Sequence, residues 1–158
     1  MPEKRFPLRA ASLKELNDLA AGTMAEVLGI EFIEATSVRL VARMPVDART
    51  KQPFGLLHGG ASVALAETMG SIGAVLALAD QHASRCVGLE INANHLSSVR
   101  SGWVTGRAAP LHVGRSTQVW EIRIEQDDGR LVCVSRLTVA VVPSRDQTNN
   151  QNNKSTNQ

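Results

Sequence analysis

The sequence predicts an α+β fold in which an antiparallel β-sheet wraps around one long central helix. Residues 61–79 form an apolar run whose single charged residue is Glu67, and a helix that is apolar on every side has to be covered by other elements. Four strand-like segments joined by short links follow this run, and short links favour antiparallel neighbours. The chain has 158 residues, 43% of them hydrophobic, so we expect a single domain over residues 1–143.

Two short helices and two strands are predicted before the apolar run. Ser12-Leu13-Lys14-Glu15 has the form of a capping box, and leucines recur after it at helical spacing. Further on, apolar and polar residues alternate as in a half-buried strand until Pro45 ends the pattern. The predicted elements are a helix over 12–21, a helical turn over 24–28, strands over 30–35 and 38–44, and an ordered loop over 47–54.

Four strands are predicted after the apolar run. Alternation directs Trp120, Ile122 and Ile124 to one side of a sheet, and Asp127-Asp128-Gly129 is a hairpin turn signal. Residues 144–158 consist mostly of Asn, Gln, Ser and Thr and are expected to form a disordered polar tail. The predicted strands cover 85–96, 102–111 with a break near Pro110, 119–125 and 131–142.

Composition argues against several classes of partner. The net charge is only +2 and aromatic residues make up 3% of the chain, so no nucleic-acid partner is expected. Polar residues within the apolar run favour a buried core helix over a membrane span, so no membrane is expected. Cys86 and Cys133 are far apart and the four histidines lack ligand spacing, which predicts no metal site. The first residues do not resemble a signal peptide, so the expected location is cytoplasmic.

Glu67 and Gly59 are the first candidate site residues. An ionisable group is costly to bury, so a lone carboxylate in an apolar helix suggests chemistry. Gly59, at the predicted helix start, offers a backbone N–H at the positive end of the helix dipole, where an oxyanion can be stabilised. The structural alternatives are an ion pair between Glu67 and an arginine such as Arg136, and a tight turn at Gly59.

The sequence around these residues resembles the hotdog-fold acyl-CoA thioesterases, in the branch that carries a glutamate on its helix. The motif is Leu57-His58-Gly59-Gly60 followed by Glu67. The resemblance implies a hotdog fold, thioester hydrolysis without a cofactor, and a homo-oligomer. Dimers assembled into tetramers, with sites at a subunit interface, are its usual form. The matching segments are 44–47, 49–62, 87–95, 110–114, 129–131 and 135–138.

The resemblance also implies catalytic roles. The N–H of Gly59 holds the thioester carbonyl, and Glu67 acts either as nucleophile or as general base through water. Ser71, on the same helix face as Glu67, positions the attacking group, Gln52 is presented by the partner subunit, and His58 lies beside the carbonyl in a supporting role. Taken without the resemblance, these last three would be a helix serine bonded to its own backbone, a solvated loop glutamine and a turn histidine.

The same resemblance places coenzyme A on three parts of the chain. Hydroxyl groups, exposed turn N–H groups and an arginine are suitable partners for phosphate. The turn that starts at Gly114 also fits an ordinary hairpin. Relatives often carry arginine where this chain has Ser97. This difference would either remove a phosphate contact or move it to Arg100, and it leaves the preference for CoA over a carrier protein open. The predicted binding residues are Gly88, His95, Leu96, Ser97, Ser98, His112, Val113, Gly114, Arg115, Ser116 and Thr117.

An aromatic acyl-CoA is the substrate class that the resemblance implies, with 1,4-dihydroxy-2-naphthoyl-CoA of menaquinone synthesis as the first candidate. Benzoyl-CoA, phenylacetyl-CoA or a thioester on an aryl carrier protein are the alternatives within the class. A non-catalytic protein that binds acyl-CoA is an alternative outside it. A hotdog hydratase is a third class, but its pairing of Asp with His in a different motif is not found here.

Overall fold

One six-stranded antiparallel sheet packs around the helix that the apolar run predicts. The computed structural model describes residues 6–144, so residues 1–5 and the predicted tail from residue 145 onward lie outside the described part. The elements in chain order are α1 (Leu13–Asp18), α2 (Met24–Leu28), β1 (Glu31–Ala35), β2 (Leu40–Pro45), α3 (Gly59–Leu76), β3 (Ser84–His95), β4 (Trp103–Val113), β5 (Thr117–Gln126) and β6 (Leu131–Pro143).

The strand order β1-β2-β4-β5-β6-β3 corrects one expectation about the last four strands. β4, β5 and β6 are antiparallel neighbours as predicted, but β3 pairs with β6 and lies at the edge, away from β4. In a flat sheet β3 and β4 would be three strand spacings, about 15 Å, apart. The link over 96–102 can bridge that distance, because seven residues span up to about 24 Å.

Helix α3 is covered by the sheet, as the apolar run predicts. It packs against β2 to β6, and two glycines allow close approach. A Cβ added at Gly70 would lie 2.5 Å from Leu137 Cδ2, and one at Gly73 would lie 2.6 Å from Trp120 Cζ3. By length and composition alone this helix could cross a membrane, with a mean hydropathy of 1.2 over 18 residues, yet 50% of that window is buried within the fold.

Replacing Gly73 by alanine is expected to lower the free energy of unfolding by about 1–3 kcal/mol, because the new methyl group would overpack its contact with buried Trp120. On an unobstructed helix the same change is stabilising. Urea unfolding followed by circular dichroism measures the difference. Val75→Ala, on a part of α3 that is 40% exposed, is the control and should have little effect. Equal stabilities of Gly73→Ala and the native chain would contradict the packing described here.

The C-terminal end of α3 is tied to the sheet by a buried glutamine. Gln118 Nε2 donates to the carbonyl of Ala74 at 3.2 Å, and Trp120 Nε1 donates to Gln118 Oε1 at 3.0 Å. Carbonyls in the last turn of a helix have no helical partner. Gln118 therefore satisfies one of them and joins α3 to β5.

The local predictions hold except at some element ends. Ser12 and Glu15 form the predicted capping box, and Trp120, Ile122 and Ile124 are fully buried on one side of β5. The break expected near Pro110 is a bulge, and β4 continues to Val113, because a bulge tolerates a residue without an N–H. Helix α1 stops at Asp18, earlier than predicted. Burial raises the pKa of both thiols, consistent with two cysteines that serve as small core residues.

Candidate active site

The N-terminus of α3 presents a free backbone N–H at Gly59. His58 is the N-cap residue, and its Nδ1 accepts a hydrogen bond from the N–H of Gly60 at 2.8 Å. The N–H groups of Ala61 and Ser62 point back to the His58 carbonyl. Within residues 6–144 the N–H of Gly59 has no acceptor. It can therefore donate to a substrate oxygen at the positive end of the helix dipole.

His58 has a structural part in this arrangement. Because Nδ1 is occupied as an acceptor, a neutral ring carries its proton on Nε2. The ring is exposed and caps the helix, which agrees with a supporting role and makes His58 a poor general base. Its capping bond holds the first turn of α3 in place and so fixes the direction of the neighbouring Gly59 N–H.

A cavity of about 350 Å³ with both polar and apolar groups in its wall opens in front of Gly59; it is called the polar cavity below because it contains the candidate carbonyl donors. Gln52 lies in its wall, and the side-chain Oε1 of Gln52 accepts a hydrogen bond from the N–H of Phe54. The amide NH₂ of Gln52 is consequently left to donate elsewhere. His95 packs on Gly59 so closely that an added Cβ there would lie 2.8 Å from His95 Nε2. The cavity is lined by Gln52, Leu56, Leu57, Gly59, Ser62, His95, Leu96, Ser97, Ser98 and Val132.

Glu67 lies elsewhere on α3 and is half-buried. Ser71 Oγ donates a hydrogen bond of 3.0 Å to Glu67 Oε1, as their spacing on one helix face predicts. A Cβ added at Gly88 would lie 3.2 Å from the same oxygen, and Gly88 stands at a bulge in β3. Among the described residues no ion pair involves Glu67, and Arg136 is exposed. The structural alternative of a buried Glu–Arg pair is therefore wrong.

The two predicted catalytic groups, the Gly59 N–H and the Glu67 carboxylate, are far apart within one chain. Eight residues of helix correspond to a rise of about 12 Å and a rotation of about 80°. A carbonyl held at the Gly59 N–H is thus out of reach of the Glu67 carboxylate of the same chain. Gln52 and Gly59 of one chain line the same cavity, so a Gln52 presented by a partner subunit would bring the Gly59 of that partner with it.

A second cavity, of about 580 Å³, lies between α1 and α3 and begins beside the Glu67–Ser71 pair. Its lining is mostly apolar, with charged side chains at the rim. Ser71 is thus the residue that joins the carboxylate to an apolar space. The lining residues are Arg9, Ala11, Glu15, Leu16, Asp18, Leu19, Ser71, Ile72, Val75 and Leu76.

The structure divides the predicted coenzyme A residues into three groups. His95, Leu96, Ser97 and Ser98 line the polar cavity, and Gly88 neighbours Glu67. The remaining six residues surround the β4–β5 turn, where the N–H of Gly114 donates to the Thr117 carbonyl. They lie outside the lining of the polar cavity. The last group is His112, Val113, Gly114, Arg115, Ser116 and Thr117.

Sequence reasoning overlooked Ser62 and Val132, which also line the polar cavity. Ser62 could have been found, because it lies three residues after Gly59 and therefore on the same helix face. Val132 could not, because it reaches the cavity only through the pairing of β6 with β3. The described residues contain no cluster of His, Cys, Asp or Glu suited to a metal ion.

Comparison with known proteins places this geometry in a family. Residues 54–133 match the family described as "Thioesterase superfamily". The chain is 51% identical over 134 residues to the 1,4-dihydroxy-2-naphthoyl-CoA hydrolase of Escherichia coli, covering 85% of this chain and 97% of that protein. It is 50% identical over 135 residues to the proofreading thioesterase EntH of Cronobacter turicensis, covering 85% and 96%.

A solved structure supports the same assignment. The crystal structure of a glutamine-to-alanine variant of thioesterase PA1618 from Pseudomonas aeruginosa has a TM-score of 0.85 and 49% identity, covering 88% of this chain and 99% of that one. The predicted hotdog fold, with one sheet around one long helix, is confirmed. The chain belongs to the thioesterase superfamily and is a thioester hydrolase of the hotdog fold.

Proposed function

We propose that this protein hydrolyses aromatic acyl-CoA thioesters, with 1,4-dihydroxy-2-naphthoyl-CoA as the first candidate substrate, in a site shared by two subunits. One observation carries the proposal. The donors that can hold a carbonyl, Gly59 N–H and the Gln52 amide, line the polar cavity, whereas Ser71, the hydrogen-bond partner of the Glu67 carboxylate, lines the apolar cavity. A thioester has the same division, with a polar pantetheine arm on one side of the carbonyl and an apolar acyl group on the other.

Strand β3 supplies the edge through which two copies would join. It is the longest edge of the sheet and pairs only with β6 among the described strands. Val87 and Leu89 on it are 45% and 61% exposed. A long unprotected edge is a template for a further strand. Two β3 strands related by a twofold axis would continue the sheet from one copy into the next.

This pairing would also complete the site. Along one strand Gly88 and His95 are about 23 Å apart, seven residues of extended chain. Antiparallel pairing of two β3 edges brings the Gly88 region of one copy towards the His95 end of the other. Gly88 neighbours Glu67, and His95 packs on Gly59. The carboxylate of one subunit would therefore meet the carbonyl donors of its partner.

The chemistry follows from these positions. The thioester oxygen accepts hydrogen bonds from the Gly59 N–H and the Gln52 amide, which stabilise the negative charge that develops on it. Glu67 of the other subunit, oriented by Ser71, either attacks the carbonyl carbon or removes a proton from an attacking water. The C–S bond breaks with its electron pair on sulfur, the thiolate takes up a proton, and water supplies the second oxygen of the carboxylate product.

Single turnover in ¹⁸O-labelled water tests whether Glu67 attacks the thioester. If it does, a mixed anhydride forms, and water attack at the Glu67 carbonyl of the anhydride releases an unlabelled acid and puts the label into the Glu67 side chain. A labelled first acid with an unlabelled side chain is expected if Glu67 activates water, or if water attacks the acyl carbonyl of the anhydride. Mass spectrometry of the acid and of the peptide that contains Glu67 reads out both results.

The apolar cavity beside Ser71 favours a bulky acyl group. Similarity to known proteins does not identify the acyl group, since the relatives at 51% and 50% identity carry different names. One is a naphthoyl-CoA hydrolase and the other a proofreading thioesterase. Ser97 stands in the wall of the polar cavity, and Arg130 lies beside that wall, where its Nη1 donates to the Ser98 carbonyl at 3.2 Å. A thioester on an aryl carrier protein is the second candidate.

Release of free thiol from a panel of esters tests the proposal. We expect kcat/KM for 1,4-dihydroxy-2-naphthoyl-CoA and benzoyl-CoA to exceed that for decanoyl-CoA by at least about tenfold, the discrimination typical of an apolar pocket. The same aromatic acyl group on a carrier protein tests the second candidate. A clear preference for decanoyl-CoA would overturn the aromatic assignment.

A further inference from the structure

We propose that Phe54 of one subunit forms a wall of the apolar cavity of its partner and determines which acyl groups fit. The inference rests on the shared site proposed above and adds a specificity-determining residue to it. Two observations carry it. Phe54 is an aromatic side chain presented to solvent by an ordered turn, and the apolar cavity is bordered by exposed apolar side chains.

Phe54 is exposed although its backbone is well held. Its side chain is 83% exposed, yet its N–H donates to the Gln52 side chain. The N–H of Gly55 donates to the Gln52 carbonyl at 2.9 Å, and Lys51 forms an isolated bridge with Leu57 across the turn. Gly55 has a φ of +77°, which closes the turn in a conformation that suits glycine. A rigid turn that leaves a whole ring in water is typical of a surface that meets a partner.

The cavity between α1 and α3 lacks an outer wall in the single chain. Leu16, Ile72 and Leu76 form its inner side. Leu19 and Val75 also line it and remain 64% and 40% exposed. An apolar acyl group bound there would leave much of its surface in water. An additional apolar group from outside the chain is needed to close the cavity.

The shared site brings Phe54 to this opening. Gln52 of one subunit has to approach the Glu67–Ser71 pair of the other, because both act on one carbonyl. Phe54 follows two residues later and so lies at most about 7 Å from Gln52 along the chain. Ser71 is one of the residues that line the apolar cavity. A ring at that distance from Gln52 can reach the exposed side of the cavity beside the acyl group.

Steady-state kinetics of Phe54→Ala test the inference. We expect kcat/KM for benzoyl-CoA to fall by about tenfold or more, mostly through KM, while the value for decanoyl-CoA is unchanged or rises because the cavity is now open-ended. Phe54→Leu, which keeps an apolar side chain, should lie between the two. Met24→Ala is the matched control. Met24 is similarly exposed, at 63%, but lies on α2 and outside both cavities, so it should leave both values unchanged.

A double variant tests whether Phe54 acts at the partner's cavity. Ile72→Ala enlarges the same cavity from α3, so its effect on the benzoyl-to-decanoyl ratio should be strongly non-additive with that of Phe54→Ala. Three results would overturn the inference: equal losses for both esters, an unchanged ratio, or full additivity. Each counts only if the variant keeps the oligomeric mass and the circular dichroism of the native protein. Failure of the native protein to release thiol from any aromatic ester would overturn the proposed function instead.

Discussion

Replacing Glu67 by glutamine is expected to lower kcat by about 10²–10⁴-fold and to leave the fold intact. Glutamine has the shape of glutamate and keeps an oxygen for the hydrogen bond from Ser71 Oγ, which is 3.0 Å in the native chain. It can neither attack a carbonyl nor take a proton from water. The loss should therefore appear in kcat for every ester that the enzyme accepts. Thiol release under saturating substrate measures it, and circular dichroism reports the fold.

Thr68→Ala is the matched control for this substitution. Thr68 neighbours Glu67 on α3 and is also half-buried, but its hydroxyl donates to the carbonyl of Ala64 in its own helix. Removing that hydroxyl should change kcat little. A folded Glu67→Gln variant with near-native turnover would remove Glu67 from the mechanism.

Two inactive variants are expected to restore activity to each other when their subunits mix. Gln52→Ala removes a carbonyl donor, and Glu67→Gln removes the carboxylate. In a mixed dimer with shared sites, one site carries both changes and the other carries neither. Random mixing makes half of the dimers mixed, so about a quarter of native activity should return. Co-refolding equal amounts of the two proteins and following thiol release provides the measurement.

The mixing experiment separates shared sites from sites within one chain. If one chain held the whole site, every mixed dimer would contain two damaged sites and no activity would return. Mixing two batches of Glu67→Gln is the control and should stay inactive. Native mass spectrometry of the mixture verifies that mixed dimers formed, so an inactive mixture that contains them would contradict the shared site.

Much of the fold could be predicted because its signals are local. The capping box at Ser12, the alternation around Trp120 and the apolar run around Glu67 each depend on residues close together in the chain. The position of β3 could not be predicted in this way. Its pairing with β6 is a choice between distant segments with equally suitable patterns, and only packing around α3 decides between them.

The candidate site could also be predicted only in part, because some of its features are local and others depend on contacts between distant segments. Glu67 and Gly59 are candidates on local grounds, the resemblance adds Gln52, His58 and Ser71, and helix spacing predicts that Ser71 and Glu67 are neighbours. Placement of Gln52 beside Gly59 depends on how the loop before α3 folds back, which the bridge between Lys51 and Leu57 establishes. The apolar cavity depends on where α1 is placed relative to α3, and no sequence motif predicts that placement. The catalytic roles of these residues stay predictions until the substitutions above are made.

The buried Gln118 has a consequence for how the molecule opens. Helix ends normally fray, because their last carbonyls are bonded only to water. Here the carbonyl of Ala74 is held by Gln118, which is held in turn by Trp120 in the middle of the sheet. The last turn of α3 cannot loosen unless β5 is disturbed too. The amide hydrogens in the last turn of α3 should thus exchange only when the whole domain unfolds, unlike the free N–H of Gly59 at the start of the helix.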